Sequence, residues 1–310
     1  MSKIAFIFPG QGAQTCGMGK DFYEQTETGR KVFDKATELL GFSVPELCFE
    51  PNDRLDITEY TQAAMVTTSI AMMKVLEENG IKPDVAAGLS LGEYCALVAA
   101  GVMTADDAIR TVRERGILMQ EAVPAGVGGM SAVLGMTADE INAVVDEIPN
   151  VQVANYNCPG QIVISGLKEA VETAAVKLKE AGARRVIPLN VSGPFHSYLL
   201  EEAGEKLGKF LENIPVSEPK IPYVANVTAA YVTKAEDVKP LLTRQVSSSV
   251  RWQQSVETML ADGVDTFIEI GPGKTLAGFM RKIDRSAKVY NVEKLEDVQK
   301  VVEALSAQEE

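Results

Sequence analysis

The stretch Gly88-Leu89-Ser90-Leu91-Gly92-Glu93-Tyr94-Cys95-Ala96-Leu97 follows the short apolar run Val85-Ala86-Ala87 and turns into an apolar, helix-like segment. Gly-x-Ser-x-Gly between a strand and a helix is the pattern of a nucleophile elbow: the glycines allow a tight turn and a close strand–helix approach, leaving the serine hydroxyl exposed. A glycine-rich turn with an incidental serine has the same letters, so the reading needs partners elsewhere in the chain.

A serine hydroxyl is a weak nucleophile at neutral pH without an adjacent base, and imidazole is the side chain suited to that task. The chain contains one histidine, His196, in "SGPFHSYLL" at 192–200. A solitary histidine is more often structural, but an elbow serine with a single possible imidazole partner makes His196 the candidate base. Backbone N–H groups must also point at the developing oxyanion. Leu91 supplies one at the start of its helix, where N–H groups are unpaired. Gln11, in "PGQGAQ" at 9–14, is best placed for a second, although that loop also reads as a plain strand-to-helix turn. In the helix predicted over 104–122, Ala108, Val112 and Met119 share one face with Arg115, while Arg110 and Arg113 point away. An inward guanidinium needs an anion opposite, supplied by either a protein carboxylate or a ligand carboxylate.

Bulk properties narrow the class. The chain has 310 residues, 46% hydrophobic and 24% charged, the composition of a globular protein large enough for a substantial core. A formal net charge of −13, with Arg184-Arg185 the densest basic pair in mid-chain, argues against nucleic acid and anionic membrane surfaces as partners. Four cysteines, at 16, 48, 95 and 158, show no C-x-x-C spacing, which points to a reducing compartment and a cytoplasmic location. "IAFIF" at 4–8 is too short for a signal peptide and reads as a first strand. The most apolar window, 85–103, is broken by Glu93 and by glycines at 88, 92 and 101, so it reads as a buried strand and helix rather than a membrane span.

An α/β alternation runs along the chain. The first strand leads through "PGQGAQTCGMG" to a helical region ending near 40; a long helix spans 59–79; then come strand 85–88, the Ser90 turn and helices 91–100 and 104–122. Between about 128 and 191 the order becomes βαββαβ, the split-βαβ pattern of a ferredoxin-like subdomain. Helix 197–212, strand 221–226, helices 235–247 and 251–262, strand 266–271, helix 274–283 and strand 288–292 follow. This places the body at 1–125 and 193–310, an inserted subdomain at 126–192, and the ligand at their junction.

Taken together, these segments resemble the malonyl-CoA:acyl carrier protein transacylases of fatty acid synthesis over nearly the whole chain. The matching stretches are "FPGQGAQ" (8–14), "GLSLGEYCALVAAG" (88–101), "RGILMQEAVP" (115–124), "NYNCPGQIVISG" (155–166), "GPFHS" (193–197) and "IEIGPGKTLAGF" (268–279). The resemblance implies an α/β-hydrolase-like body with a parallel sheet and a ferredoxin-like insert. It implies that Ser90 is acylated, His196 is its base, and backbone N–H groups of Gln11 and Leu91 hold the oxyanion. Arg115 would grip the malonyl carboxylate in a two-pronged pair. In the family a main-chain carbonyl, matching Gln245 here, orients the imidazole in place of a third acid. Many relatives carry histidine where Leu89 stands. Phe195 is similar to the malonyl-selective pattern; a ring there would disfavour an α-methyl group by about 1–3 kcal/mol.

The implied reaction moves malonyl from malonyl-CoA to the phosphopantetheine thiol of acyl carrier protein, with both thioesters as substrates, no metal or redox cofactor, and a monomeric chain. A serine thioesterase or esterase, with water as acceptor, is the nearest rival, and a non-catalytic carrier-protein docking module is another. Lys177, Lys179, Arg184 and Arg185 are candidate docking residues on the insert, although 126–192 holds five basic against seven acidic side chains and a solvated helix face explains them better.

Overall fold

The structure is a computed structural model, described for residues 2–191 and 193–307. Its first strand, β1 (Ile4–Phe8), is apolar and buried on both faces, as the centre of a parallel sheet requires. A helical layer follows: α1 (Lys20–Gln25), α2 (Glu27–Leu40), α3 (Val44–Phe49) and α4 (Thr58–Glu78). Most residues of α4, including the unbroken run from Thr61 to Met73, are buried, so it runs through the body rather than over it. The elbow joins β2 (Val85–Gly88) to α5 (Gly92–Ala99). Next comes α6 (Ala105–Glu121), capped by Thr104, whose hydroxyl accepts from the Asp107 N–H at 3.1 Å. Helix α6 crosses α4 closely at Gly116, where a Cβ would come within 2.7 Å of the Glu59 Cα, and this sets the neighbouring Arg115 beside α4.

The insert contains β3 (Gly128–Leu134), α7 (Ala138–Val145), β4 (Val151–Cys158), β5 (Gln161–Leu167), α8 (Lys168–Glu180) and β6 (Arg185–Pro188). Its sheet has the order β4-β5-β3-β6 and every pairing is antiparallel, the arrangement the βαββαβ order calls for. It has its own apolar core, built around Ile141, Ile164, Val171 and Leu178. A parallel bridge, Asn155 to Val250, joins it to the body, together with side-chain hydrogen bonds such as that from Ser249 to the Val153 carbonyl.

The body resumes with a short 3₁₀ turn at Tyr198–Leu200 and α9 (Glu201–Leu211), so the helix predicted from 197 begins as a tighter turn. Then come β7 (Tyr223–Val224), β8 (Tyr231–Val232), α10 (Ala235–Gln245), α11 (Trp252–Ala261), β9 (Thr266–Ile270), α12 (Thr275–Ile283), β10 (Lys288–Val292) and α13 (Leu295–Ser306). The body sheet has the order β10-β9-β1-β2-β7-β8 and is parallel except for β8, which folds back antiparallel on β7 at the edge. The fold is α/β, as read from the alternation. The expected parallel sheet is present, and β8 extends it at the edge as an antiparallel strand, because the short turn after β7 permits only an antiparallel return. All four cysteines are free thiols, and among the described residues no helix is long and apolar enough to cross a membrane.

Candidate active site

Ser90 occupies the turn between β2 and α5 with a φ of 51°, a left-handed conformation unusual for a non-glycine residue. The flanking glycines make the turn possible. A Cβ on Gly88 would lie 1.9 Å from the Gly92 carbonyl carbon, and one on Gly92 would lie 2.2 Å from the Phe8 carbonyl oxygen. Backbone therefore meets backbone on both sides of the serine. Asn226 braces the turn: its Oδ1 accepts from the Ser90 N–H at 2.6 Å and its Nδ2 donates to the Gly88 carbonyl at 2.6 Å.

His196 lies 106 positions along the chain, yet its Nε2 is 2.7 Å from the Ser90 Oγ. Its Nδ1 is 2.9 Å from the Gln245 carbonyl oxygen. A carbonyl only accepts, so Nδ1 carries the proton and Nε2 is left to accept from the serine hydroxyl. The ring is 3% exposed. Burial, followed by the Arg115 charge, pushes its pKa down to about 4 against the opposing pull of the Gln245 and Ser248 backbone, so it is neutral near pH 7, with Nε2 free to accept a proton. Gln152 of β4 secures the histidine's own backbone: its Nε2 donates to the His196 carbonyl at 3.1 Å and its Oε1 accepts from the Tyr198 N–H at 3.0 Å. The insert thus holds the imidazole in place.

Arg115 is 1% exposed, and each of its hydrogen-bond partners is neutral. Its Nη1 donates to Gln62 Oε1 of α4 at 2.8 Å; its Nη2 donates to the Ser90 Oγ at 3.1 Å and to Gln245 Oε1 at 3.1 Å. The Nε–H is buried with no partner among the described residues. Of the two anions that could satisfy an inward arginine, the direct protein carboxylate is therefore not the one found, and the guanidinium retains donor capacity beside the nucleophile. Arg110 is exposed as read from the helix face, whereas Arg113 turns away from the site onto Glu59 at 2.6 Å and the Tyr60 ring.

A cavity of about 740 Å³ opens over these groups at the junction of body and insert. Gln11, Ser90, Leu91, Arg115 and His196 all line it, as do Leu89 and Phe195. Asn155, Asn157 and Gln161 close it from the insert side. No hydrogen bond among the described residues uses the backbone N–H of Gln11 or Leu91, so both remain open to a ligand. Gln245 lies behind the cavity wall and reaches the site through its hydrogen bonds. Lys177, Lys179, Arg184 and Arg185 are exposed and line no part of it.

Gln62, Glu93, Gln152 and Asn226 were not singled out as site residues in the sequence. Glu93 carried a signal, being a charge in the most apolar window of the chain, and Gln62 is a long polar side chain at a buried position of α4. Gln152 and Asn226 are common polar residues near strand ends, and only the tertiary structure reveals their partners.

A serine on a strained elbow, hydrogen-bonded to a neutral buried imidazole beside two open N–H groups, defines a serine acyl-transfer enzyme. Comparison with known proteins agrees. The model of the acyl transferase domain family matches residues 5–305. The malonyl CoA-acyl carrier protein transacylase of Bacillus subtilis (strain 168) is 48% identical over 310 residues, covering 98% of each chain. Among solved structures, that of a malonyl CoA-acyl carrier protein transacylase from Clostridium perfringens superposes with a TM-score of 0.96 at 43% identity, covering 99% of this chain and 98% of the other. A malonyl-transacylase in complex with its holo type II PKS acyl-carrier protein gives 0.95 at 39% identity, covering 98% of this chain and 100% of that one. The chain belongs to the acyl transferase family and, within it, to the malonyl-CoA:acyl carrier protein transacylases.

Proposed function

We propose that this enzyme transfers malonyl from malonyl-CoA to the phosphopantetheine thiol of acyl carrier protein, in two steps through a malonyl ester on Ser90. The malonyl carboxylate pairs with Arg115. The Ser90 Oγ attacks the thioester carbonyl as its proton passes to His196 Nε2, and the N–H groups of Gln11 and Leu91 hold the oxyanion. The C–S bond breaks, and the departing coenzyme A sulfur takes the proton from His196. The carrier-protein thiol then gives its proton to the same imidazole and attacks the malonyl ester. Ser90 leaves with that proton, and the enzyme is restored. Each half-reaction exchanges one oxygen or sulfur acyl bond for another, so the chemistry calls for no metal or redox cofactor. Four free thiols support a cytosolic setting.

The observation that carries this reading is the buried guanidinium of Arg115, which donates to the nucleophile at 3.1 Å and keeps an unpaired N–H. A general esterase has no use for a charge there. Intact-mass measurement of the protein mixed with malonyl-CoA tests it. One malonyl adduct should appear, be absent in Ser90→Ala, and be discharged by holo acyl carrier protein. Rapid release of free malonate without carrier protein would favour hydrolysis instead.

A further inference from the structure

Glu93 stands in the first turn of α5 and is 1% exposed. An isolated carboxylate at that depth is costly unless its hydrogen bonds and charge are met. Its Oε2 accepts from Gln245 Nε2 at 2.6 Å and from the Asn226 backbone N–H at 3.1 Å. Both partners lead to the reacting groups. Asn226 holds the Ser90 backbone, as described above. Gln245 donates from the same Nε2 to the Ser90 carbonyl at 3.0 Å, offers its own carbonyl to His196, and accepts from Arg115 through Oε1.

We propose that Glu93 is a positioning residue that sets the elbow, the imidazole and the guanidinium in one register by pinning Gln245 and Asn226; this rests on the malonyl-transfer reading. The reasoning is one of donors and acceptors. An ionised carboxylate only accepts and a guanidinium only donates. With Glu93 at one end of the Gln245 amide and Arg115 at the other, a single orientation satisfies both. Reversing it would set oxygen against carboxylate and NH₂ against guanidinium. Glu93 thus fixes the side chain that ties the elbow to the guanidinium, on the residue whose carbonyl holds the imidazole, and its charge offsets that of Arg115 across an intervening amide.

The groups facing Glu93 are Arg115 from α6, Tyr94 beside it on α5, Tyr223 from β7 and the neutral His196 beyond Gln245. Arg115 is the only cation among them. Burial pushes the Glu93 carboxyl up to about 7, while Gln245, Asn226 and Arg115 pull the other way. Its ionisation therefore competes with a substrate carboxylate for the same guanidinium. As pH rises through that value, the grip of Arg115 on malonyl-CoA should weaken.

The test compares the parent chain with Glu93→Ala and Glu93→Gln, following Ser90 acylation by malonyl-CoA and by acetyl-CoA between about pH 6 and 8. Glu93→Ala should slow malonyl acylation about 100-fold or more and lower the malonyl-to-acetyl rate ratio by about tenfold, since misplacing Arg115 costs the carboxylated substrate an ion pair that acetyl never makes. Glu93→Gln keeps an oxygen that accepts the same two hydrogen bonds. It should stay within about tenfold of the parent, with a malonyl-CoA KM that no longer climbs with pH. A rate ratio in Glu93→Ala equal to the parent's, or a KM in Glu93→Gln that rises with pH as the parent's does, overturns the proposal. Should Glu93→Ala not fold, the pH profile of Glu93→Gln decides alone. Absence of any malonyl adduct on the parent would remove the malonyl-transfer reading, and this role with it.

Discussion

Two strand-to-helix turns leave the same edge of the body sheet on either side of β1, and their helix N-termini are treated in opposite ways. At the turn from β9 to α12, Glu269 is fully buried and fills the helix end. Its carboxylate accepts from the Leu276 N–H at 3.0 Å, the Ala277 N–H at 2.8 Å and the Asn291 side chain at 2.9 Å. At the turn from β2 to α5, the buried glutamate of the first turn faces away from its own helix end, toward Gln245 and Asn226, and the Leu91 N–H has no partner among the described residues. The two turns share glycine-dependent packing: a Cβ on Gly271 would lie 2.7 Å from the Pro9 Cγ, and one on Gly92 would lie 2.2 Å from the Phe8 oxygen. A helix N-terminus binds an incoming anion only where the chain has not already supplied one.

The largest effect expected from this contrast is at the open turn. His196→Ala should slow Ser90 acylation by about 10³-fold or more, measured as coenzyme A release, while leaving the thermal midpoint little changed. In the parent, acylation should persist as pH falls below neutrality and fail only near the value of about 4 at which the buried ring gains its proton. Protonation then removes the base. Failure already near pH 6.5 would mean that His196 is not held as buried and neutral as described.

Gly92→Ala tests whether the elbow depends on backbone contact. With Phe8 backbone in the way, it should cost about 3 kcal/mol or more by denaturant unfolding and abolish the malonyl adduct. Glu269→Ala unplugs the other turn. It should cost about 1–3 kcal/mol in stability, because buried N–H groups lose their acceptor, yet leave acylation within about tenfold of the parent. A loss of acylation as large as that of His196→Ala would break the division of labour between the two turns. The smallest effect belongs to Gly278, inside α12, where a Cβ would meet nothing within 4 Å. Gly278→Ala should stabilise by about 0.5–1 kcal/mol, confirming that the constraint at Gly92 comes from close approach and not from glycine content.

How much of this was legible in sequence follows from the range of each interaction. The elbow is local: two glycines, a serine and the flanking strand and helix are contiguous, and one histidine in the chain left no choice of base. The inward face of Arg115 could be read from helical spacing. The ring-orienting carbonyl of Gln245 came only through family resemblance, since a backbone carbonyl leaves no trace in side-chain chemistry. Gln62, Gln152 and Asn226 were illegible because their roles depend on pairings 53, 44 and 136 positions apart. Glu93 was visible as a misplaced charge, but its partners lie more than 130 positions away. In the fold, β8 is too short for any periodicity to register. Helix α13 lies beyond the last strand read, although Leu295, Val298, Val301 and Leu305 have helical spacing.

The left-handed backbone at Ser90, with φ of 51°, has a counterpart at His196, with φ of 55°. Non-glycine residues in that region cost about 1–3 kcal/mol each, so the polypeptide would be most at ease with glycine at both positions. The pairing of hydroxyl and imidazole is therefore maintained against the preferences of the main chain that carries it. A lineage screened only for resistance to heat would be drawn toward discarding the hydroxyl and the imidazole, and would finish as a hardier protein with an intact pocket and no chemistry.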